Sequence, residues 1–418
     1  MKPVFYCLCL LALALGCQSE KKQEAIKSDE ELRTLAQQLA DKFILTDGHV
    51  DLPYRLKEEG WKINEGIIGG VGKPVGDMDY QRARKGGLDA PFMSIYIPAS
   101  YQKKDKKANM IGGGKELADS LINMVEQITK QYPDQYALAK TPTDIEANSK
   151  AGKISLPMGM ENGAPVGKEL ANLKYFFDRG IRYITLTHGK NNQICDSSYD
   201  TLRTWNGLSP FGEDVVREMN RLGIMVDISH VDDSTFYDVM KIAKAPAIAS
   251  HSSCRHFTPS WQRNMNDDMI KALAKNGGVI QINFGASFLD STMRNNKMVD
   301  SVRKVLKDKK LLSRDAEAQA IIGQFGQHKD FFSDVERVAD HIDHVKAIAG
   351  IDHVGIGSDF DGVGDSLPEG LKDVSMYPNL IYVLLKRGYT EEDIQKICSG
   401  NVFRVWNKVI EVAGSTGN

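Results

Sequence analysis

The chain has 418 residues, with 53 Lys and Arg against 55 Asp and Glu and a formal net charge of −2. That near-cancellation argues against a nucleic-acid binder, whose affinity rests on clustered Lys and Arg; the one basic cluster, 103–107, is interrupted by Asp105 and reads as a solvated loop. Cys7, Cys9 and Cys17 lie at the front, and Cys195, Cys254 and Cys398 are too few and too scattered for a disulfide framework or a thiolate zinc site.

Lys2 and the apolar run 5–15, too short to span a bilayer as a mature helix, read as an export signal. The run ends at Leu15-Gly16-Cys17, the layout of a bacterial lipoprotein signal in which Cys17 becomes the lipidated first residue. Residues 18–31 are polar and charged, which suits a flexible tether. The expected organisation is a signal over 1–17, a tether over 18–31 and one domain over 32–418. The expected location is exported and lipid-anchored to a bacterial membrane, on its periplasmic or cell-surface face.

Eight short runs rich in β-branched and apolar residues follow, at 43–49, 91–97, 154–160, 182–188, 224–230, 247–251, 279–284 and 353–358. Amphipathic stretches at 168–179, 213–222, 234–243, 267–275 and 335–349 lie between them. Strand then helix, repeated eight times, is the pattern of a (β/α)8 TIM-type barrel of the α/β class, and it also fits an open doubly wound sheet. The polar residues favour the barrel, where catalytic groups end the strands. His49 and Asp51, Glu161, His188, His230, His251 and Asp359 all stand at such ends. Residues 283–331, rich in charge and helix formers, read as a helical insertion, and the glycine-dense 60–76 as another loop near the site.

Residues two apart on an extended segment face one side, so His49 and Asp51 can point at one ion. Glu161, placed after a buried strand and before a glycine turn, is a costly charge unless paired, and its two oxygens can bridge two ions. Neutral imidazole is a common zinc ligand, which admits His230 and His251. Each taken singly is as readily a core histidine or a salt-bridged acid. Together they would supply three ligands to each of two ions, Zn2+ by preference, with Glu161 shared. Such a centre has room for a bridging water whose lowered pKa gives a hydroxide nucleophile at neutral pH. Mn2+, Co2+ and Fe2+ also suit these ligands.

His188 can polarise a scissile carbonyl or hold the developing oxyanion. Arg263 either clasps a substrate carboxylate or is a surface arginine. Asp359 is placed to orient the water and pass its proton to a leaving amine, with Asp361 as its competitor. His328, His341, His344 and His353 read as helix or loop residues, the helical pair 341 and 344 as a surface face. His256 reads as loop or as a support behind His251.

The segments DGHVDLPYR, MGMENG, YITLTHGKNN, GLSPFGEDVVREMNRLGIMVDISH, APAIASHSS, RNMNDDM, VADHIDHVKAIAG and GSDFDGVG occur in this order between Ile44 and Trp406. In them the chain resembles the membrane (renal) dipeptidases, a branch of the amidohydrolase-type barrel enzymes. The resemblance implies a dizinc dipeptidase. His49 and Asp51 match the ligands of one zinc, Glu161 the bridge, and His230 and His251 the ligands of the other. His188 and Arg263 match the substrate-binding pair, and Asp359 the catalytic aspartate. It further implies dipeptide substrates, often with a D-residue at the C-terminal position, and a homodimer. Two departures bear on substrate range: Phe288 stands nearest a pocket tyrosine of the animal members, and the 283–331 insertion exceeds their short loop. N-acyl amino acids, lactones or β-lactams are the alternative substrates, and a lipid-anchored binding protein without chemistry is the alternative class.

Overall fold

The computed structural model describes Met1 and residues 27–60, 63, 67, 76–294, 296–311, 313, 315–327 and 330–416. The expected signal with Cys17, most of the tether, most of the 60–76 loop and His328 lie outside them. All eight apolar runs contain strands: β1 Leu45–Val50, β2 Leu88–Tyr96, β3 Met158–Glu161, β4 Ile181–Thr185, β5 Met225–Asp227, β6 Ile248–Ala249, β7 Val279–Ile282 and β8 Val354–Ile356. They pair in parallel and in chain order in one sheet. A parallel bridge between Val50 and Phe360 brings the last edge to the first, with Asp359 N donating to His49 O at 3.1 Å and Asp51 N to Phe360 O at 2.9 Å. The doubly wound alternative has open edges and is set aside.

The strands are buried along their length, as parallel strands covered by helices must be, and the polar residues near their C-terminal ends meet at one mouth of the barrel. The register sets those residues in one layer: Tyr96 pairs with Glu161, Glu161 with Thr185, and Thr185 with Asp227. Run 154–160 divides, because Ile154–Leu156 leaves the barrel to pair with Tyr136–Leu138 before β3 begins.

Local sequence marks the helix ends. Pro210–Leu222 starts from a Ser209 cap with proline in its first turn and stops at left-handed Gly223. Asp267–Lys275 and Val335–Ala349 fall where the periodicity placed them. The first helix, Asp29–Lys42, begins inside the expected tether, because Ser28 and Glu31 form a reciprocal capping box. The C-terminal helix Asn401–Thr416 closes the far end, where the fully buried Trp406 ring packs at a tilt against Phe92 of β2, 5.3 Å between ring centres. Among the described residues no helix is long and apolar enough to cross a membrane. Cys195, Cys254 and Cys398 are free and buried.

The insertion is helical. After β7 come Ala286–Leu289, Lys297–Asp308 and Ala316–Phe325, before Val335–Ala349 resumes the barrel's outer layer. Val299, Val302 and Leu306 pack with Ala318, Ile322 and Phe331 in an apolar cluster separate from the main core.

Candidate metal centre and substrate cavity

Glu161 is the hub. Its Oε2 lies 3.4 Å from His49 Nε2, and that nitrogen lies 3.6 Å from Asp51 Oδ2. Its Oε1 lies 3.0 Å from His230 Nε2 and 3.4 Å from His251 Nε2. The five residues expected as ligands thus meet in one buried place, with two sets on the two carboxylate oxygens. His188 joins the second set, its Nε2 3.6 Å from Glu161 Oε1.

Neighbouring groups decide which way the imidazoles face. Tyr183 has one hydroxyl proton, given to Gly48 O at 3.0 Å, so it accepts from His49 Nδ1 at 2.8 Å. Neutral His49 then carries its lone pair on Nε2, toward Asp51 and Glu161. Ser250 Oγ donates to Asp227 at 2.6 Å and so accepts from His251 Nδ1 at 2.7 Å, leaving the His251 Nε2 lone pair toward Glu161. Arg263 Nη2, always a donor, lies 3.0 Å from His230 Nε2. Glycine at 159 is required for the first of these contacts, because a Cβ there would stand 2.0 Å from Tyr183 Cζ.

Three inward lone pairs and two carboxylates repel one another unless positive charge lies among them. His230 Nε2 and His251 Nε2 are only 2.8 Å apart, while His49 Nε2 and Asp51 Oδ1 are buried without a hydrogen-bond partner. Burial lowers the His49 pKa, but Tyr183, Glu161 and Asp51 outweigh it and hold it well above 6.5. Burial is also the main influence on His230 and His251, which fall well below 6.5. Burial opposes ionisation of Glu161, yet the histidines around it hold its carboxyl well below the ordinary range. The donor set therefore fits divalent cations of the zinc type, with nitrogen and oxygen ligands, and the imidazoles of His49 and His251 already have their outer partners in place. Compact groups formed by His49, Glu161 and His251, by Glu161, His188 and His230, and by His49, Asp51 and Asp359 are each close enough to hold an ion.

Asp359 stands over this floor. Burial, with Asp51 and Glu161 adding to it against the pull of His49, pushes its carboxyl up to about 7. Asn283 Nδ2 donates to its Oδ2 at 2.7 Å. Asp359 adopts φ 65°, and Asn162 and His230 share this left-handed backbone at 81° and 69°; such strain in residues other than glycine clusters at functional sites. Asp361 is no competitor, because Arg55 Nε holds its Oδ2 at 3.0 Å and Asp77 N donates to its Oδ1 at 2.7 Å.

A cavity of about 970 Å3 opens above the floor. Asp51, Glu161, His188, His230 and Asp359 reach it from the strand ends, and Tyr54, Tyr96, Tyr199 and Phe288 wall it. Arg263 is buried behind this wall rather than lining it. Its Nη1 donates to Ser252 Oγ at 2.7 Å and its Nη2 to His251 O at 2.8 Å, while Nε has no acceptor. Its guanidinium carbon lies 5.0 Å from the Phe288 ring centre. It is a buried residue of the site, so the surface-arginine alternative is overturned.

Sequence reasoning overlooked Tyr183, Asp227, Tyr96 and Tyr199. Asp227 stands three residues before His230 in the same motif and receives Ser229 N as well as Ser250, so its signal was present. Tyr199 comes from a long loop with no periodic cue, and its ring lies 5.7 Å from that of His230. The discounted histidines stay apart from the site. His341 is fully buried rather than on a surface face, accepting from Cys254 N and bonding Leu289 O, both at 3.0 Å. His344 bonds Asp267 at 2.8 Å and stacks on His256. His353 bonds Gly278 O at 2.8 Å.

Residues 33–418 match the family model described as membrane dipeptidase (peptidase family M19). A dipeptidase, tcpJ, of Claviceps purpurea is 33% identical over 82% of this chain and 71% of its own length. Dipeptidase 3 of Mus musculus is 31% identical over 92% of this chain and 68% of its own. A metallopeptidase of Rhodobacter sphaeroides, solved with a phosphinate mimic of the dipeptide L-Ala-D-Ala, superposes with a TM-score of 0.70. It is 23% identical, and the match covers 88% of this chain and 99% of that one.

Proposed function

The chain belongs to the membrane dipeptidase family and is a metal-dependent dipeptidase, and from that premise we propose that two zinc ions serve its reaction. His49 and Asp51 would hold one, His230 and His251 the other, and Glu161 both. The observation that carries this is the convergence of inward-facing imidazole nitrogens on both oxygens of Glu161. When bound, the ions supply Lewis-acid polarisation and a hydroxide nucleophile at neutral pH.

The chain's own groups do the rest. Arg263, behind the wall with its guanidinium carbon 5.0 Å from the Phe288 ring centre, supplies the positive charge that draws the terminal carboxylate of the dipeptide to that side of the cavity. His188, which burial holds below its ordinary pKa, is neutral and donates one N–H to the carbonyl oxygen as charge develops there. Asp359, fixed by Asn283 at one oxygen, takes a proton at the other and releases it to the departing amine. Tyr54 and Tyr96 narrow the mouth and exclude water. The substrates include L-Xaa-D-Xaa dipeptides, a reading supported by the ligand of the Rhodobacter enzyme.

A panel of L–L and L–D dipeptides, each with a free and an amidated C-terminus, tests this. Cleavage should require zinc and the free carboxylate, and Arg263→Ala should erase the difference between free and amidated forms. Turnover that survives exhaustive chelation would contradict the metal reading. Equal turnover of both termini by the unaltered enzyme would contradict the role of Arg263 and favour acylated or cyclic amides.

Export by the 1–17 signal, anchoring through Cys17, a tether reaching the barrel domain that starts near residue 32, and homodimerisation belong to the same proposal. The apolar run ending at Gly16-Cys17 supports the anchor. Cys17→Ser should move the protein from the membrane fraction to the soluble one; an unchanged distribution would refute lipidation.

A further inference from the structure

The insertion reaches the same cavity as the metal floor. Arg303, Leu306, Lys307, Lys310 and Leu311 line it together with Glu161 and Asp359. Leu306 is buried in the insertion's own apolar cluster, which fixes the face that the helix Lys297–Asp308 turns inward and carries Arg303 and Lys307 with it, since residues three and four apart share a side.

The charges on this wall are unevenly satisfied. Its acids are engaged: Asp361 by Arg55 and Asp77 N, and Asp365 by Ser313 N at 2.6 Å and Ser313 Oγ at 2.8 Å. Its cations are not. Lys307 and Lys310 are exposed and form no ion pair among the described residues. Arg303 is half-buried, with Asp300 and Asp365 as the acids in its range; its Nη2 makes one long bond to Phe331 O at 3.4 Å and its Nε is buried without an acceptor.

The backbone adds an independent sign. The helix ends with Lys310 N bonded to Lys307 O and Leu311 N to Leu306 O, a C-terminal turn whose left-handed residue is ordinarily glycine. Here it is lysine, at φ 56°, a strained choice that the turn itself does not call for.

The positive charge assigned to the α-carboxylate, Arg263, lies elsewhere, behind Phe288. At about 970 Å3 the cavity stands at the top of the ~300–1,000 Å3 usual for pockets that enclose drug-sized ligands. We infer that the insertion is a specificity wall: Arg303, Lys307 and Lys310 select dipeptides bearing a second carboxylate, on a side chain, over neutral ones. This rests on the dipeptidase reading above.

The test uses the zinc-loaded full chain and pairs of substrates that differ only in charge: Glu-Ala against Gln-Ala, and Ala-Glu against Ala-Gln. For at least one pair kcat/KM should favour the acid by about tenfold, mostly through KM, as two or three exposed ion pairs allow. The ratio should fall toward one as salt rises from ~0.05 to ~0.5 M, because screening shortens the reach of exposed charges. In the double variant Lys307→Glu, Lys310→Glu the ratio should drop below one, with the amide substrate as the internal reference for folding. Cleavage of acid and amide at ratios near one, unmoved by salt or charge reversal, overturns the inference and leaves the dipeptidase reading standing. Cleavage of none of the four overturns both.

Discussion

The floor and the outer wall of one cavity are built on opposite principles. The floor hangs from strand ends, and three of its groups are held from behind: His49 by Tyr183, His251 by Ser250 and Asp227, Asp359 by Asn283. The wall is a helix beyond the barrel, steadied by a small apolar cluster of its own, with an Arg303 Nε that has no acceptor and lysines that form no ion pair among the described residues. Rigid placement suits groups that must meet an ion or a reacting atom within tenths of an ångström. Screened, long-range attraction suits a wall that only discriminates among substrates. The same reaction can thus keep its floor while the wall changes its substrate.

The comparison breaks most sharply at the hub. Glu161→Ala should lower kcat/KM at least ~10³-fold, as loss of metal-assisted charge stabilisation does, and should reduce bound metal; retained metal with retained activity would remove the carboxylate from the centre. Leu306→Ala tests the wall. It should cost about 2–3 kcal/mol of local stability by opening a cavity in the insertion's cluster. Hydrogen exchange should quicken over 297–325 while the barrel strands stay protected; equal quickening throughout would mean that wall and floor unfold as one. Tyr183→Phe should weaken zinc affinity ~10–100-fold, with kcat recovered at saturating zinc, since the phenol orients a ligand and touches no substrate. Failure of zinc to rescue would assign Tyr183 a larger part.

The smallest effect lies at the seam. His341 joins Cys254, after β6, to Leu289 at the start of the insertion. Burial, against the raising effect of its Leu289 bond, depresses its pKa to about 3 from an ordinary 6.5. A histidine depressed in the folded state contributes stability that is complete above 6.5 and drains away as the pH falls toward 3, because the unfolded chain takes the proton first. Tm should therefore decline over that window, and less steeply in His341→Gln; identical slopes would show that this histidine does not set them.

The floor was legible because its chemistry is written locally. A histidine or acid that ends an apolar run must either be paired or serve, and in a parallel barrel all such ends converge. His49, Asp51, Glu161, His230, His251 and Asp359 could be found that way, and the helix Asp267–Lys275 from its periodicity alone. What escaped depends on distant residues. Tyr183 reaches His49 only because position 159 is glycine. Asp361 belongs to Arg55 rather than to the substrate because the chain turns left-handed after β8. His341 looked like a surface residue because its helix also carries acids, and only packing against Cys254 and Leu289 buries it. The insertion was recognisable as helical from composition, but where a helix leans is a tertiary fact.

The most direct test of the central claim is a zinc titration of metal-free protein, following bound metal per chain and dipeptide cleavage in the same samples. Two ions per chain, with cleavage complete only as the second site fills, is the expected result. Full activity with a single ion, or no tight binding at all, would contradict a centre in which Glu161 serves two metals.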